Sequence, residues 1–445
     1  MRFLPTIILS LFLTFSALPA QAQSVIRDTE IETILAEWFE PIFEANGMEA
    51  NQVNIVLVNS PEINAFVAGG ANIFFYTGLI QKTENAGELI GVMAHELGHI
   101  QGGHLVRSRE ALEQASYESI LGTLIGIGAA VATGDPGAAG AVSAGGNSVA
   151  SRRFLSKSRT FESSADQAAI SSMEKAEMNP TGILTFLEKL QGEELVPASQ
   201  QSEYVRTHPL TRNRVDSVAN AVANSKFKDK AYPTQWKEQH ERVKAKLLGF
   251  LSPAQVSWTY DDLDQSFSAN YARTIADYRE NRVNQALRGI DDLIQKEPDN
   301  AYLYELKGQM LVDFSRVGEA IPFYEQAVKM MPDSGLIRTA LAHAYIESAD
   351  DSNNQLSKAT QQLQAALIKE PRSSRIHRLL ATAYGRLGDD PRARLHLAEE
   401  ALLQRKYAYA KQQATNAAEN LDKDSAAWIR AKDILLSLEN RKNRG

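Results

Sequence analysis

His95-Glu96-Leu97-Gly98-His99 is the stretch of this chain whose residue types and spacing can do chemistry. On an α-helix, residues four apart share a face, so His95 and His99 can turn both imidazoles towards one metal ion. Glu96 follows the first ligand, where its carboxylate can reach a metal-bound water. Two nitrogen ligands and a general base are what a zinc peptidase needs. The same five letters also suit a solvated helix that happens to carry two histidines. Their surroundings favour the metal. Leu89, Ile90, Val92, Met93, Leu97 and Ile100 are apolar at helical spacing, and Asn85 with Glu88 has the form of a capping box.

A catalytic zinc usually takes three protein ligands and keeps a fourth position open. The pattern H-E-x-x-H-x-x-G-x-x-H would place the third histidine at 105. Gly102 falls on its glycine, but residue 105 is Leu105 and the histidine is His104. On a helix that slip is a turn of about 100°, which excludes the pattern. His104 is then a polar neighbour of the site or a surface residue. A later glutamate is the alternative. In Glu162-Ser163-Ser164-Ala165-Asp166, Glu162 would complete a His-His-Glu set. Asp166, one turn on, would accept a hydrogen bond from a ligand histidine and orient its ring. An exposed acidic helix start would read the same way.

These residues need a scaffold, and the chain supplies two. Residues 24–250 read as mostly helical, with strand-like stretches at Val53 to Val58 and Asn72 to Thr77. From about residue 270 the chain repeats. Lys296-Glu297-Pro298-Asp299-Asn300 recurs at Met330-Met331-Pro332-Asp333-Ser334 and at Lys369-Glu370-Pro371-Arg372-Ser373. The first interval has the tetratricopeptide length, and the polar run Ala349 to Gln355 accommodates the longer second one. Small residues recur where paired helices must approach: Gly308, Ala320 and Ala327, then Ala359 and Ala366, then Ala381 and Ala393. After Pro371 the register drifts. Such an array stacks into a curved surface that ordinarily binds protein.

The first residues have the form of a secretory signal peptide over 1–22. Arg2 is followed by an apolar run from Ile7 to Leu18 and by Ala20-Gln21-Ala22 as a cleavage site. The chain has no cysteine, so neither disulfides nor lipidation at a cysteine is available. Its net charge of −7 argues against nucleic acid as a partner. The Gly/Ala-rich segment 120–146 has an apolar part too short to cross a bilayer straight. It is expected to be a lid, a surface for peripheral contact with membrane or substrate, or an irregular loop.

With these residues in view, the chain resembles the HtpX-type zinc metallopeptidases, and among them the soluble periplasmic BepA-like branch with tetratricopeptide repeats. The resemblance rests on His95/Glu96/His99, Glu162/Asp166, His208-Pro209 with Arg214, and Asn64-Ala65-Phe66 with Gly69-Gly70. It implies a mainly α fold: a zincin-type metallopeptidase domain with a small β-sheet over 23–262, then a tetratricopeptide-repeat α-solenoid over 270–438. It implies one zinc ion per chain, held by His95, His99 and Glu162, with Glu96 and Asp166 as the working carboxylates. Asn64, Ala65, Phe66, Gly69, Gly70 and Arg214 would bind substrate, an extended chain pairing with the strand near Asn64 to Phe66. His208 is expected to be an inhibitory fourth ligand, in contrast to a stabiliser of the transition state or a surface histidine. The implied setting is the periplasm. The implied partners are unfolded polypeptides, outer-membrane proteins such as the lipopolysaccharide-transport protein LptD, and the β-barrel assembly machinery, with chaperone-like assistance beside proteolysis. The competing class is a repeat scaffold or chaperone whose metal site is structural or idle.

Overall fold

A computed structural model describes residues 24–49, 52–104, 106–107, 159–197, 199–349 and 353–442. The expectations for 1–22 and 120–146 lie outside the described residues.

Helix α1 (Thr29–Ala45) opens where the Asp28 side chain accepts the Ile31 N–H at 2.9 Å. Its apolar stripe, Ile31, Leu35, Trp38, Phe39 and Ile42, is at most 1 % exposed and founds the core of the first domain. A four-stranded sheet of order β1-β2-β4-β3 packs there: β1 (Ser24–Ile26), β2 (Asn54–Asn59), β3 (Ala65–Ala68) and β4 (Asn72–Tyr76). Strand β4 is central, parallel to β2 and antiparallel to β3, with Ile73 and Phe75 fully buried. Gly69 and Gly70, at φ 61° and 101°, make the tight turn from β3 into β4. Strand β3 is an edge. Tyr76 N–H donates to Asn64 O at 3.0 Å, so in this antiparallel pair residues 64, 66 and 68 face β4. Residues 65 and 67 turn their peptide groups to the open side.

After the short helix α2 (Thr77–Lys82) comes α3 (Ala86–Gln101), buried from Ala86 to Gly98. Asn85 caps it as the sequence indicates, accepting Glu88 N–H at 3.1 Å. Glu88 does not close the box on Asn85; its carboxylate accepts Glu84 N–H and pairs with Lys189 at 2.8 Å. The helical segments α4 (residues 159–175) and α5 (Thr181–Leu190) pack on α3; the single-turn α6 (Glu203–Thr207) follows, and α7 (Arg212–Asn224) packs on α5. Helix α8 (Thr234–Leu251) leads out of the domain.

The second domain is a stack of paired helices: Phe267–Arg279 with Val283–Lys296, Ala301–Asp313 with Val317–Met330, Gly335–Ser348 with Asn354–Lys369, and Ser374–Arg386 with Asp390–Leu403. Turns within these pairs pass through left-handed residues, Asn281, Ser315, Asn353 and Gly388. Turns between pairs carry Pro298, Pro332 and Pro371. After Leu403 the expected proline turn is replaced by a left-handed one at Arg405, which is why the sequence period drifts there. Tyr407–Asn420 and Ala426–Lys442 complete the stack. Among the described residues, no helix is long and apolar enough to cross a membrane.

Polar side chains join the domains. Lys246 of α8 lies 2.8 Å from Asp28 and 3.1 Å from Glu30, and the Tyr271 hydroxyl donates to Glu30 at 2.8 Å. Arg27 bridges Glu32 and Glu370 at 2.7 and 2.6 Å.

The packing of α3 allows no added volume where it crosses α5. A Cβ at Gly182 would stand 2.1 Å from the Gly87 carbonyl, a backbone group that cannot step aside. Gly182→Ala is expected to destabilise the first domain by about 1–3 kcal/mol, read as a lower midpoint in urea unfolding. An unchanged midpoint would show that the two helices separate freely.

Candidate metal centre

Helix α3 presents His95, Glu96 and His99 on its inward face, and α4 brings Glu162 and Asp166 against it. Gly98 permits the approach: a Cβ there would lie 2.8 Å from Ala165 O. The glycine inside the motif is therefore the contact that sets the distance between the histidine helix and the glutamate helix. His208, at the C-terminal end of α6, completes the group because Pro209 stops the helix and leaves it at φ −121° and ψ 74°.

Four ligand atoms of His95, His99, Glu162 and His208 lie within 4.8 Å of one another. His95 Nε2 is 3.1 Å from His99 Nε2, 3.3 Å from Glu162 Oε2 and 3.4 Å from His208 Nδ1. Glu162 is 3.1 Å from His208 Nδ1 through Oε2 and 3.5 Å from His99 Nε2 through Oε1. Ligand bonds of about 2.0–2.1 Å in a tetrahedron set neighbouring donors about 3.3–3.4 Å apart, so these edges fit a four-coordinate metal of the zinc type.

The outward nitrogens support the same reading. His95 Nδ1 is 2.9 Å from Asp166 Oδ1, and His208 Nε2 donates to Ala65 O at 3.2 Å. His99 Nδ1 faces His104 Nδ1 at 3.0 Å. The far nitrogens of His208 and His99 thus have hydrogen-bond partners, while His95 Nδ1 lies at ion-pair distance from Asp166 without hydrogen-bond alignment; all three rings turn their other nitrogen to the common point. Burial and the neighbouring His95 push His99 down to about 2, keeping it neutral as a ligand. Burial opposes charge on His95 too, but Asp166 and Glu162 outweigh it and raise that ring to about 10. A positive charge is what the cluster calls for, from a proton or from a metal.

Behind the ligands, Arg214 forms a bidentate pair with Asp166 at 2.7 and 2.9 Å and reaches Glu162 at 3.2 Å. Burial would raise the Asp166 carboxyl, yet Arg214 and His95 hold it below its usual range. Arg214 is 2 % exposed and also donates to the Pro209 carbonyl at 2.9 Å. The structure places the guanidinium, expected beside substrate, behind the ligands, enclosed among Asp166, Glu162 and the His208 turn.

Glu96 is 0 % exposed and its two carboxylate oxygens have no hydrogen-bond partner among the described residues. Burial raises its pKa. His208 Nε2 stands 3.5 Å from Glu96 Oε1.

Of the other expected site residues, Ala65 touches the cluster through its carbonyl. Asn64 is buried, 3.5 Å from the Thr207 hydroxyl, and Phe66 stacks on Phe74 at 4.9 Å between ring centres. Gly69 and Gly70 sit in the far turn of β3, not among the ligands. His104 is buried, 3 % exposed, with its ring stacked on Phe161. Sequence reasoning missed Tyr204. Its ring stacks on His208 at 4.6 Å, and its N–H donates to Ile63 O at 2.9 Å. The four-residue spacing to His208 was the available signal.

Fold and centre together define a metallopeptidase-type domain carrying a repeat solenoid. Residues 26–222 match peptidase family M48, and residues 271–334 and 311–383 match tetratricopeptide repeats. The chain thus carries an M48 domain followed by such repeats. Among curated proteins it is similar to the beta-barrel assembly-enhancing protease of Escherichia coli (strain K12), 27% identical over 300 residues, covering 65% of this chain and 60% of that one. The protein of that name from Yersinia pestis is 25% identical over 299 residues, with the same shares. Metalloprotease YcaL of Escherichia coli (strain K12) is 22% identical over 184 residues, 41% of this chain and 66% of that one. The chain spans about 60% of the length of the assembly-enhancing relatives.

Glu162→Gln is expected to reduce metal occupancy strongly, and Asp166→Ala to lower affinity or activity by roughly 10–100-fold through loss of the His95 partner. Chelator competition followed by elemental analysis checks both. Wild-type retention of metal by Glu162→Gln would remove Glu162 from the ligand set.

Proposed function

We propose that this chain is a zinc metalloendopeptidase of the periplasm that hydrolyses misfolded or stalled outer-membrane proteins and also assists their assembly. The observation that carries the catalytic part is Glu96, a buried carboxylate without a hydrogen-bond partner among the described residues, beside a convergent ligand set. A structural metal site has no use for such a group, and burying it unpaired is costly. The same observation weighs against a scaffold with an idle metal.

His95, His99 and Glu162 would hold the zinc, with Asp166 and Arg214 fixing their orientation. Zinc in such a site supplies Lewis acidity towards a scissile carbonyl and a water. Glu96, its carboxyl raised by burial, is suited to take a proton from the attacking water and return it to the leaving amine. An extended substrate would pair with the outward peptide groups of residues 65 and 67 on the β3 edge, a mode that needs little side-chain specificity. His208 would act as the brake. Its Nδ1 lies in the ligand set and its Nε2 holds the Ala65 carbonyl, so it fills both the fourth position and part of the edge.

The solenoid and the similarity to assembly-enhancing proteases support a part in outer-membrane β-barrel assembly; LptD as a client and docking to the β-barrel assembly machinery are what the sequence resemblance implies.

Glu96→Gln should retain zinc and lose casein cleavage; loss of the metal along with activity would contradict the division of roles. For His208→Ala, cleavage of casein or of the chain itself should rise while zinc stays bound. A large fall in turnover would instead assign His208 to the transition state, and no change would leave it without a role in the reaction.

A further inference from the structure

Between the start of α1 and the inner faces of helices Ala301–Asp313, Gly335–Ser348 and Ser374–Arg386 lies a cavity of about 390 Å³ that includes no residue of the metal centre. Its charges are unevenly matched. Arg27 is engaged by Glu32 and Glu370, and Lys246 by Asp28 and Glu30. Two lining carboxylates have no cation within ion-pair distance among the described residues: Glu305, which accepts only the Thr29 hydroxyl at 2.9 Å, and Asp313, which accepts the Tyr278 hydroxyl. Asp313 is solvent-exposed, as is Arg375, which also lines the cavity without an ion pair; water screens both, so the unmatched charge of the enclosed part is that of the half-buried Glu305.

Tyr324 is the second, independent sign. It is 4 % exposed, and its ring fills the space over Gly308, where a Cβ would stand 2.8 Å away. Its hydroxyl borders the cavity with no hydrogen-bond partner among the described residues. That oxygen is not among the fully enclosed atoms left without a partner, so it opens to the cavity and is free to take one there. Burial pushes the Glu305 carboxyl up to about 7, with the Lys246 charge only partly offsetting it. Among the described residues, metal-ligating groups converge only at His95, His99, Glu162 and His208.

We propose that this cavity is a specificity pocket for a basic side chain, arginine or lysine, of an extended polypeptide lying in the concave face of the solenoid. The cationic head meets Glu305, Asp313 and the Tyr324 hydroxyl, while Leu306, Val312 and Leu336 cover its methylene stem. Planar arginine is favoured where two carboxylates and a phenol ring are offered. The pocket selects chains apart from hydrolysis, and it stands whether or not the metal centre cleaves.

The test uses the full chain with Glu96→Gln, so that no peptide is consumed, and fluorescence anisotropy with two labelled nonapeptides of alanine, serine and valine. One carries a central arginine, the other a central glutamine. The arginine peptide should bind about tenfold more tightly. Asp313→Asn and Tyr324→Phe should each weaken it severalfold and leave the glutamine peptide unchanged. Tyr324→Phe keeps the ring on Gly308, and a thermal melt of each variant separates lost binding from lost fold. Equal affinity for the two peptides would overturn the proposal. So would an arginine preference that survives both substitutions, since the cation would then be read elsewhere.

Discussion

Two carboxylates buried in an apolar domain, Glu162 and Asp166, impose the constraint that organises the first half of this molecule. Each is at most 4 % exposed. Leaving either uncompensated would cost several kcal/mol, and breaking a buried ion pair by removing one partner typically costs about 3–5 kcal/mol. Arg214 answers Asp166 from one side and His95 from the other, while Glu162 gathers Arg214, His95, His99 and His208. The hydrophobic packing of α3 supplies the rigidity, and Gly98 sets how near the two helices come. Chemistry and packing meet in one residue pair, because the helix contact that buries the domain also fixes the ligand separation.

The same logic recurs at the domain junction with a different outcome. Lys246 is 4 % exposed between Asp28 and Glu30, and Tyr271 adds a hydrogen bond to Glu30. Buried polar sets of this kind contribute less to net stability than to selecting one arrangement over its neighbours. They involve the cap of α1, the last helix of the peptidase domain and the first helix of the solenoid. The solenoid's concave face is therefore held at a defined orientation to the domain bearing the metal centre. Glu305 and Asp313 lie on that face outside any ion pair, which distinguishes the cavity from the junction beside it.

Much of this was legible in the sequence because it depends on short-range periodicity. His95, His99, Glu162 and Asp166 share faces by helical spacing, and the proline turns of the repeats recur where helix pairs must end. What escaped was set by tertiary contact. The resemblance alone places Arg214 with substrate, and its position behind the ligands depends on the tertiary contact of α7 with α4. Strand β1 is three residues long and pairs with β2 across α1, a contact without a local signature. Tyr204 stacks on His208, and its four-residue spacing from that histidine was a signal too weak to single it out. The repeat register was lost after Pro371 because a left-handed turn at Arg405 does the work of a proline turn.

If His208 is the brake proposed above, the loop that delivers it joins that brake to the proposed substrate edge. Residues 63 and 65 point their carbonyls to the same open side of β3, since residue 64 is turned to β4. Ile63 O is taken by the Tyr204 N–H and Ala65 O by His208 Nε2. Helix α6 thus runs along the edge as an incoming strand would, using side chain and main chain together. On the reading of His208 as a fourth ligand, an extended chain that claims Ala65 O draws away the nitrogen opposite the one in the ligand set. The two nitrogens of one ring cannot move independently. Covering the edge and filling the metal centre are consequently a single state of this loop, and the stacked Tyr204 ring adds to the stability of that state.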